Sequence, residues 1–438
     1  MISAGRSVLV NFYKRGFTVA ARWAQDNRAL LSNTAALVGS MVANSGLGFV
    51  YWWYAARFAP PEVVGAGSAA IALLLLLSAI SVMGMSTLLI TRLPGSAQPP
   101  RALILPSLAV VGATATIIGL LTAALVLPGF RELGFLIATP ATLALFVCGV
   151  VANTLALVID AVTIALLRGS IQFWRNLVAA AVKLALLVIA GARLGEPIVI
   201  YWTWTMSLVV SFAVPLVCQL RSPWRGGGSG VRWRHLLALW PSALKHHALN
   251  IVLEVPPRAL PLVVTAVLSP TVNASFYITW MLALLAFSVI DSLTMVMFAM
   301  GAADPSQLPQ RVRSTLRLSL LLGCGMVAVI SAGAGLMLSI FGSAYASTAA
   351  DTLRLLALAV FPIIVRDHYI AAQRISGAIG QATIITGIGA ALEVGFAVLG
   401  AATAGLVGLA GGWLIAVALE AALMLPFLYR LLNRARAL

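Results

Sequence analysis

The sequence predicts an all-α integral membrane protein of about twelve transmembrane helices. Three observations predict it. The chain of 438 residues is 61% hydrophobic and only 9% charged, with a mean hydropathy of +1.02. A water-soluble fold of this length needs far more charge on its surface. The apolar residues fall into twelve runs, each long enough to cross about 30 Å of hydrocarbon as a helix. The basic residues gather between those runs on one side.

The runs justify themselves in order. Residues 1–30 mix Arg6, Lys14, Arg15, Arg22 and Arg28 with Val8, Leu9, Phe12, Phe17 and Trp23. That pattern suits a basic amphipathic segment on the cytoplasmic surface, and it lacks the cleavage pattern of a signal peptide. A first set of six spans is expected within 31–220, at about 31–55, 63–91, 102–127, 133–160, 174–192 and 198–219. Residues 221–234, RSPWRGGGSGVRWR, are basic and glycine-rich, a flexible linker rather than a nucleic-acid contact. A second set is expected within 235–430, at about 235–268, 272–300, 314–340, 352–372, 378–400 and 404–429, followed by a tail at 431–438.

With the N-terminus inside, 21 of the 28 cations fall in cytoplasmic segments, Arg175, Arg366 and Arg374 among them. Only Arg57, Arg131, Arg193 and Arg354 fall outside, while Lys183, Lys245 and Arg258 lie within spans. This bias puts both termini in the cytoplasm. The net charge of +16 therefore sets topology and does not ask for nucleic acid. Arginine outnumbers lysine 25 to 3, a bias of GC-rich bacterial genomes, so a bacterial cytoplasmic (inner) membrane is the expected location. Cys148, Cys218 and Cys324 have no paired spacing, which supports neither disulfides nor a metal site. No cofactor motif is present: there is no GxxxxGK[ST] and no HExxH.

The two sets look like a repeat. Pro60 before the second span corresponds to Pro270 before the eighth, and Arg168 after the fourth to Arg374 after the tenth, with offsets of 210 and 206 residues. Six helices per unit preserve orientation, so the repeat axis lies along the membrane normal.

The seventh span, His235 to Leu268, stands apart. It carries Lys245, His246, His247, Asn250, Glu254 and Arg258 together with Pro241, Pro256, Pro257 and Pro261. Pro256, Pro257 and Pro261 free the carbonyls of Val252, Leu253 and Pro257, which need partners in protein or a wet cavity. The span is too long for a straight crossing, so Pro256, Pro257 and Pro261 are candidate hinge residues. His247, Asn250, Glu254 and Arg258 fall within about 80° on one helix face. They form either a polar stripe along a transport cavity or, through Glu254 and Arg258, a self-neutralising pair in the core. Lys245, near one membrane face, can snorkel.

Other ionisable groups fall inside spans. Lys183 sits mid-span and needs either a carboxylate partner or an anion in a cavity. Glu254, Glu393 and Glu420 lie at middling depth on three helices of one half. They could bind a cation or proton, or serve structure alone. Asp291 lies nearer the cytoplasmic end and reads as structural.

Four stretches carry a resemblance: Asn33–Arg57, Pro261–Trp280, Phe341–Tyr345, and Leu353–Ala359 with Pro362–Arg374. Over nearly all of 31–430 the chain resembles the polysaccharide exporters and O-antigen-type lipid-linked oligosaccharide flippases of the MOP (multidrug/oligosaccharidyl-lipid/polysaccharide) superfamily. The resemblance implies two six-helix lobes around a central cavity that opens alternately to each side, with cations that meet a carrier phosphate. Lys183 and Arg258 match that role, with Asn250 and His247 as further substrate contacts. Relatives that couple transport to Na+ or H+ use the seventh, eleventh and twelfth helices, where Glu254, Glu393 and Glu420 lie here. The implied partners are an isoprenoid-phosphate-linked glycan for polysaccharide or lipopolysaccharide biosynthesis, membrane lipids and polysaccharide-assembly enzymes. Two other functions compete. A cation-coupled multidrug antiporter of the same superfamily often carries an acidic residue on its first helix, where this chain has Asn33 and Asn44. A membrane-embedded polysaccharide polymerase or glycosyltransferase needs a large outer loop or a surface acidic cluster, and the sequence offers neither. An enzyme is therefore not expected.

Overall fold

Helix fills the computed structural model, and no strand occurs among the described residues. The structure describes residues 28–434 apart from 95, 97–98, 192–194 and 222–232. The expected N-terminal segment, linker and tail thus lie largely outside the described residues, as do the side chains of Asn33, Lys245 and His246.

The first half comprises α1 (Arg28–Phe58), α2 (Pro61–Ser81), α3 (Met85–Arg92), α4 (Arg101–Leu125), α5 (Pro140–Ala165), α6 (Gly169–Ala190), α7 (Pro197–Ser211) and α8 (Ala213–Arg221). The second comprises α9 (Trp233–Val267), α10 (Pro270–Ala303), α11 (Leu308–Ser339), α12 (Ser343–Leu358), α13 (Val360–Ile375) and α14 (Ile379–Arg434). Several starts follow the usual rules: proline opens α2, α5, α7 and α10, and the Thr139 hydroxyl caps α5 by accepting from the Thr142 amide at 3.1 Å.

Ten of these stretches are long and apolar enough to cross a membrane, which makes the protein multi-pass. The expected count of twelve rests on taking α1 as a further crossing and α14 as two. α14 does turn back: Ala404 and Gly405 leave helical geometry, Gly405 with φ +61°. Its two arms then pack so tightly that a Cβ on Gly400 would lie 2.0 Å from the Gly408 carbonyl oxygen. Only glycine permits that approach.

Within the first half α1 packs on α6, α6 on α7 and α4 on α5. Within the second, α9 packs on α14, α11 on α12 and α13 on α14. The halves meet chiefly where α2 lies against α9 and α10. Near the start of α2 the approach is extreme: a Cβ on Gly65 would sit 1.6 Å from the Pro270 carbonyl oxygen. Asn273 donates to the Gly65 carbonyl at 2.8 Å across the same junction.

The repeat is visible in the backbone, with a corrected register. Leu167 and Gly377, 210 residues apart, both take positive φ in the turns before α6 and α14. Arg168 therefore corresponds to Ala378, and its sequence pairing with Arg374 is displaced by about one helical turn. Arginines were matched there, whereas the turn sets the register. In the proline-rich stretch α9 runs as one helix through Pro241, Pro256, Pro257 and Pro261. The Pro257 carbonyl, freed by Pro261, accepts from the Trp280 indole at 3.1 Å.

Candidate functional site

A cavity of about 840 Å³ lies between the halves, walled by α1, α2, α6 and α7 from the first and by α9, α10, α13 and α14 from the second. At one end the halves touch through rings. Trp52 meets Tyr277 at 4.6 Å, and Phe49 meets Phe341 edge-on at 5.1 Å. Beyond them Arg57 Nε and Trp53 Nε1 donate to the Ile340 carbonyl at 3.0 and 3.2 Å, closing α1 onto the end of α11. Toward the other end the wall includes the well-exposed Met41 of α1 and Met295 of α10, and Arg374 near the end of α13.

Among the described residues the first half contributes one ionisable side chain to this wall, Lys183. It is 6% exposed, has no carboxylate within ion-pair distance, and lies with Nζ 3.7 Å from the Trp204 ring centre and 5.1 Å from that of Tyr51. Tyr51 is itself fixed by a 2.8 Å hydrogen bond to Thr203 Oγ1. The aromatic faces supply part of the stabilisation a buried ammonium loses with its water.

The second half contributes the rest: Glu254, Arg258, Asp291, Arg366, Asp367, Arg374 and Glu393. Arg258 and Glu254 form an i,i+4 ion pair that lines the cavity, partly exposed rather than in the core. Asn250 also lines the cavity and accepts from Arg374 Nη2 at 3.1 Å. His247 does not. It is buried and donates from Nε2 to the Ile80 carbonyl at 3.3 Å, against α2. Glu420 lies behind the wall, fully buried beside Glu393. Of the candidate hinges, Pro257 and Pro261 line the cavity.

Arg366 and Arg175, read as loop cations, both sit inside helices. Arg175 is 3% exposed and forms a bidentate pair with Asp160 at 2.9 and 2.6 Å. Arg366 faces the cavity with Glu393 at 3.4 Å, Asp367 at 3.7 Å and Glu420 at 3.9 Å. The expected spans at 174–192 and 352–372 already hold both residues, but each lies near a span end and counts with the flanking loop; in the structure Arg366 sits more than two turns before the end of α13 at Ile375. Moving both inside leaves 19 cations against four in the loop count, so the bias keeps its sign. Sequence reasoning also missed Asp367, Trp204 and Trp413, whose indole donates to Glu393 Oε2 at 2.6 Å. The available signal was a run of three polar residues, Arg366-Asp367-His368, within an apolar span.

No family model matches the chain, and no curated protein matches it. Solved structures do. An inward-facing multidrug resistance MATE family transporter of the MOP superfamily is 16% identical, with a TM-score of 0.65 over 92% of this chain and 99% of that one. A MATE transporter from Vibrio cholerae, in the form of a point mutant, is 15% identical, with a TM-score of 0.63 over 93% and 97%. A MOP superfamily transporter from Pyrococcus furiosus, described by a reversed binding-pocket polarity that suggests a different function, is 14% identical, with a TM-score of 0.61 over 93% and 96%. At these identities the likeness is one of fold: the chain is folded like the MATE transporters of the MOP superfamily over nearly its whole described length.

Proposed function

We propose that the protein is a membrane transporter that moves a lipid-linked oligosaccharide or polysaccharide precursor across a bacterial cytoplasmic membrane by alternating access. One observation carries the reading: Lys183 is a buried cavity cation with no carboxylate partner, so it lacks a counter-ion that an anionic cargo can supply. An isoprenoid-anchored head would keep its tail in lipid while its phosphate enters the cavity. Charge-assisted contacts there offset the cost of desolvating the phosphate. Arg374 waits near the opposite end of the wall, hydrogen-bonded to a neutral Asn250, while Arg258 shares its charge with Glu254. Trp52, Trp204, Trp280 and Trp413 line the same space, Trp204 the least buried of them. The closed end carries Arg57, which the charge bias places outside, so the cavity is taken to open to the cytoplasm. Enzymes of polysaccharide assembly are the natural suppliers of such a cargo.

The test is reconstitution into vesicles with a fluorescently tagged polyprenyl phosphoryl glycan. With the protein present, an external quencher should reach label that began in the inner leaflet, and Lys183→Gln should abolish this while still inserting. Equal quenching with and without the protein would reject the reading. A second reading, a cation-coupled multidrug antiporter, is favoured by the four carboxylates on the wall of the second half. Protein-dependent efflux of a cationic dye without glycan movement would select it.

A further inference from the structure

Arg366 lies on the cavity wall with three carboxylates around it and is held tightly by none. The separations of 3.4, 3.7 and 3.9 Å to Glu393, Asp367 and Glu420 exceed the ~2.7–2.9 Å of a charge-assisted hydrogen bond. Arg175 shows what this chain builds when a pair is structural: two bonds to one carboxylate, at 2.9 and 2.6 Å. Around Arg366 the geometry leaves groups unsatisfied. Nε of Arg366 has no hydrogen-bond partner, and the fully buried Glu420 and Asp367 Oδ2 have only other carboxylates, Glu393 and Asp291, to turn to.

The charged neighbours of Arg366 are few and mostly of one sign. Asp367 comes from its own helix, Glu393 and Glu420 from the two arms of α14, and Asp291 from α10. On the side of α11, His368 turns away to Thr315 Oγ1 at 3.2 Å, and on α12 the Arg354–Asp351 pair is largely exposed. One guanidinium thus serves two buried carboxylates, Glu393 and Glu420, the partly buried Asp367 and the exposed Asp291.

We infer that an anion entering the cavity draws Arg366 away from this cluster, and that the cluster then takes up a proton, so that anion binding and proton binding are linked through Arg366. The inference rests on the anionic cargo proposed above. Its balance is simple: one negative charge arrives, one proton joins a carboxylate oxygen, and the loaded cavity carries the same net charge as the empty one. That matters for a step that moves the site through a low-dielectric membrane. The anion would be shared by Lys183 from one half and Arg366 from the other, which gives it a hold on both. Linkage is reciprocal, so lower pH must strengthen anion binding as much as the anion strengthens proton binding.

The test is calorimetry on the full-length protein in detergent with farnesyl phosphoryl glucose, a phosphodiester whose own titration lies far below neutrality. Titrations at pH 7 in two buffers of different ionisation enthalpy count the protons exchanged. The expected result is net uptake approaching one proton per anion, with affinity falling by up to about tenfold per pH unit as pH rises, the limit for one linked proton. Glu420→Gln, which leaves Arg366 in place, should keep anion binding and lose at least about half of the uptake. Arg366→Gln should weaken binding by about tenfold or more and remove its pH dependence. Binding with no proton exchange in the wild-type protein, or with uptake undiminished in both variants, overturns the inference and leaves the cargo reading standing. No binding by the wild-type protein overturns both.

Discussion

Lys183 and Glu393 occupy the same place in the two halves and carry opposite charges. Each is the fifteenth residue of its helix, counted from Gly169 and Ile379. Each lies against a tryptophan eight residues into the following helical segment, Trp204 counted from Pro197 and Trp413 counted from Leu406, just after the break in α14. The repeat supplies two matched aromatic supports. Glu393 is answered by Arg366, and Lys183 by no carboxylate among the described residues.

Lys183 therefore costs stability, since a buried charge without a partner is unfavourable. Lys183→Gln should leave detergent-solubilised protein as stable as the parent, or more stable by about 1–2 kcal/mol, while transport is lost. A thermal unfolding series paired with the vesicle assay reads both quantities. A variant that unfolds well below the parent would mean that Lys183 is structural.

Arg175 should behave in the opposite way. Arg175→Ala leaves Asp160 buried and unpaired, a change that typically costs about 3–5 kcal/mol. Asn176, which donates to Ser40 at 2.9 Å and accepts from Arg175, loses part of the same network. The loss should appear as poor recovery and a lowered unfolding temperature. Transport per folded molecule should change little.

Arg175 and Arg366 also show how far the sequence could be read. The helical spans and the mid-span charge at Lys183 were legible, because apolar runs and lone charges are local features. The need of the Pro257 carbonyl for a partner was legible too, although not that Trp280 would supply it. Arg366 was not, because a cation six residues before the end of the expected span at 352–372 looks the same whether it reaches out to the loop or turns into a cavity. The repeat was legible as a pattern but one turn out of register, since Arg168 and Arg374 look alike while the equivalent turn residues, Leu167 and Gly377, do not. Trp204 and Trp413 gain their roles from tertiary neighbours and leave no trace in spacing.

The closed end makes its own prediction. Arg57 and Trp53 donate to carbonyls at the end of α11, and Gly65 touches Pro270. Each such hydrogen bond contributes about 0.5–1.5 kcal/mol, so Arg57→Ala should shift the balance between closed and open forms of this end by roughly tenfold. Gly65→Ala should go further, because its new methyl group has no room unless the halves part. Spin labels at Phe58 and Ile340, both exposed, should report a longer distance in each variant. An unchanged distance distribution in Gly65→Ala would show that the closure does not depend on this contact.

The most direct measurement compares two ligands that differ only in charge, farnesyl phosphoryl glucose and uncharged farnesyl glucoside, binding to the wild-type protein and to Lys183→Gln. The account predicts that the wild-type protein prefers the anion by about tenfold or more, as expected for a desolvated charge-assisted contact, and that the preference largely disappears in the variant. Equal affinity for the two ligands, or a preference that survives the loss of Lys183, would contradict it.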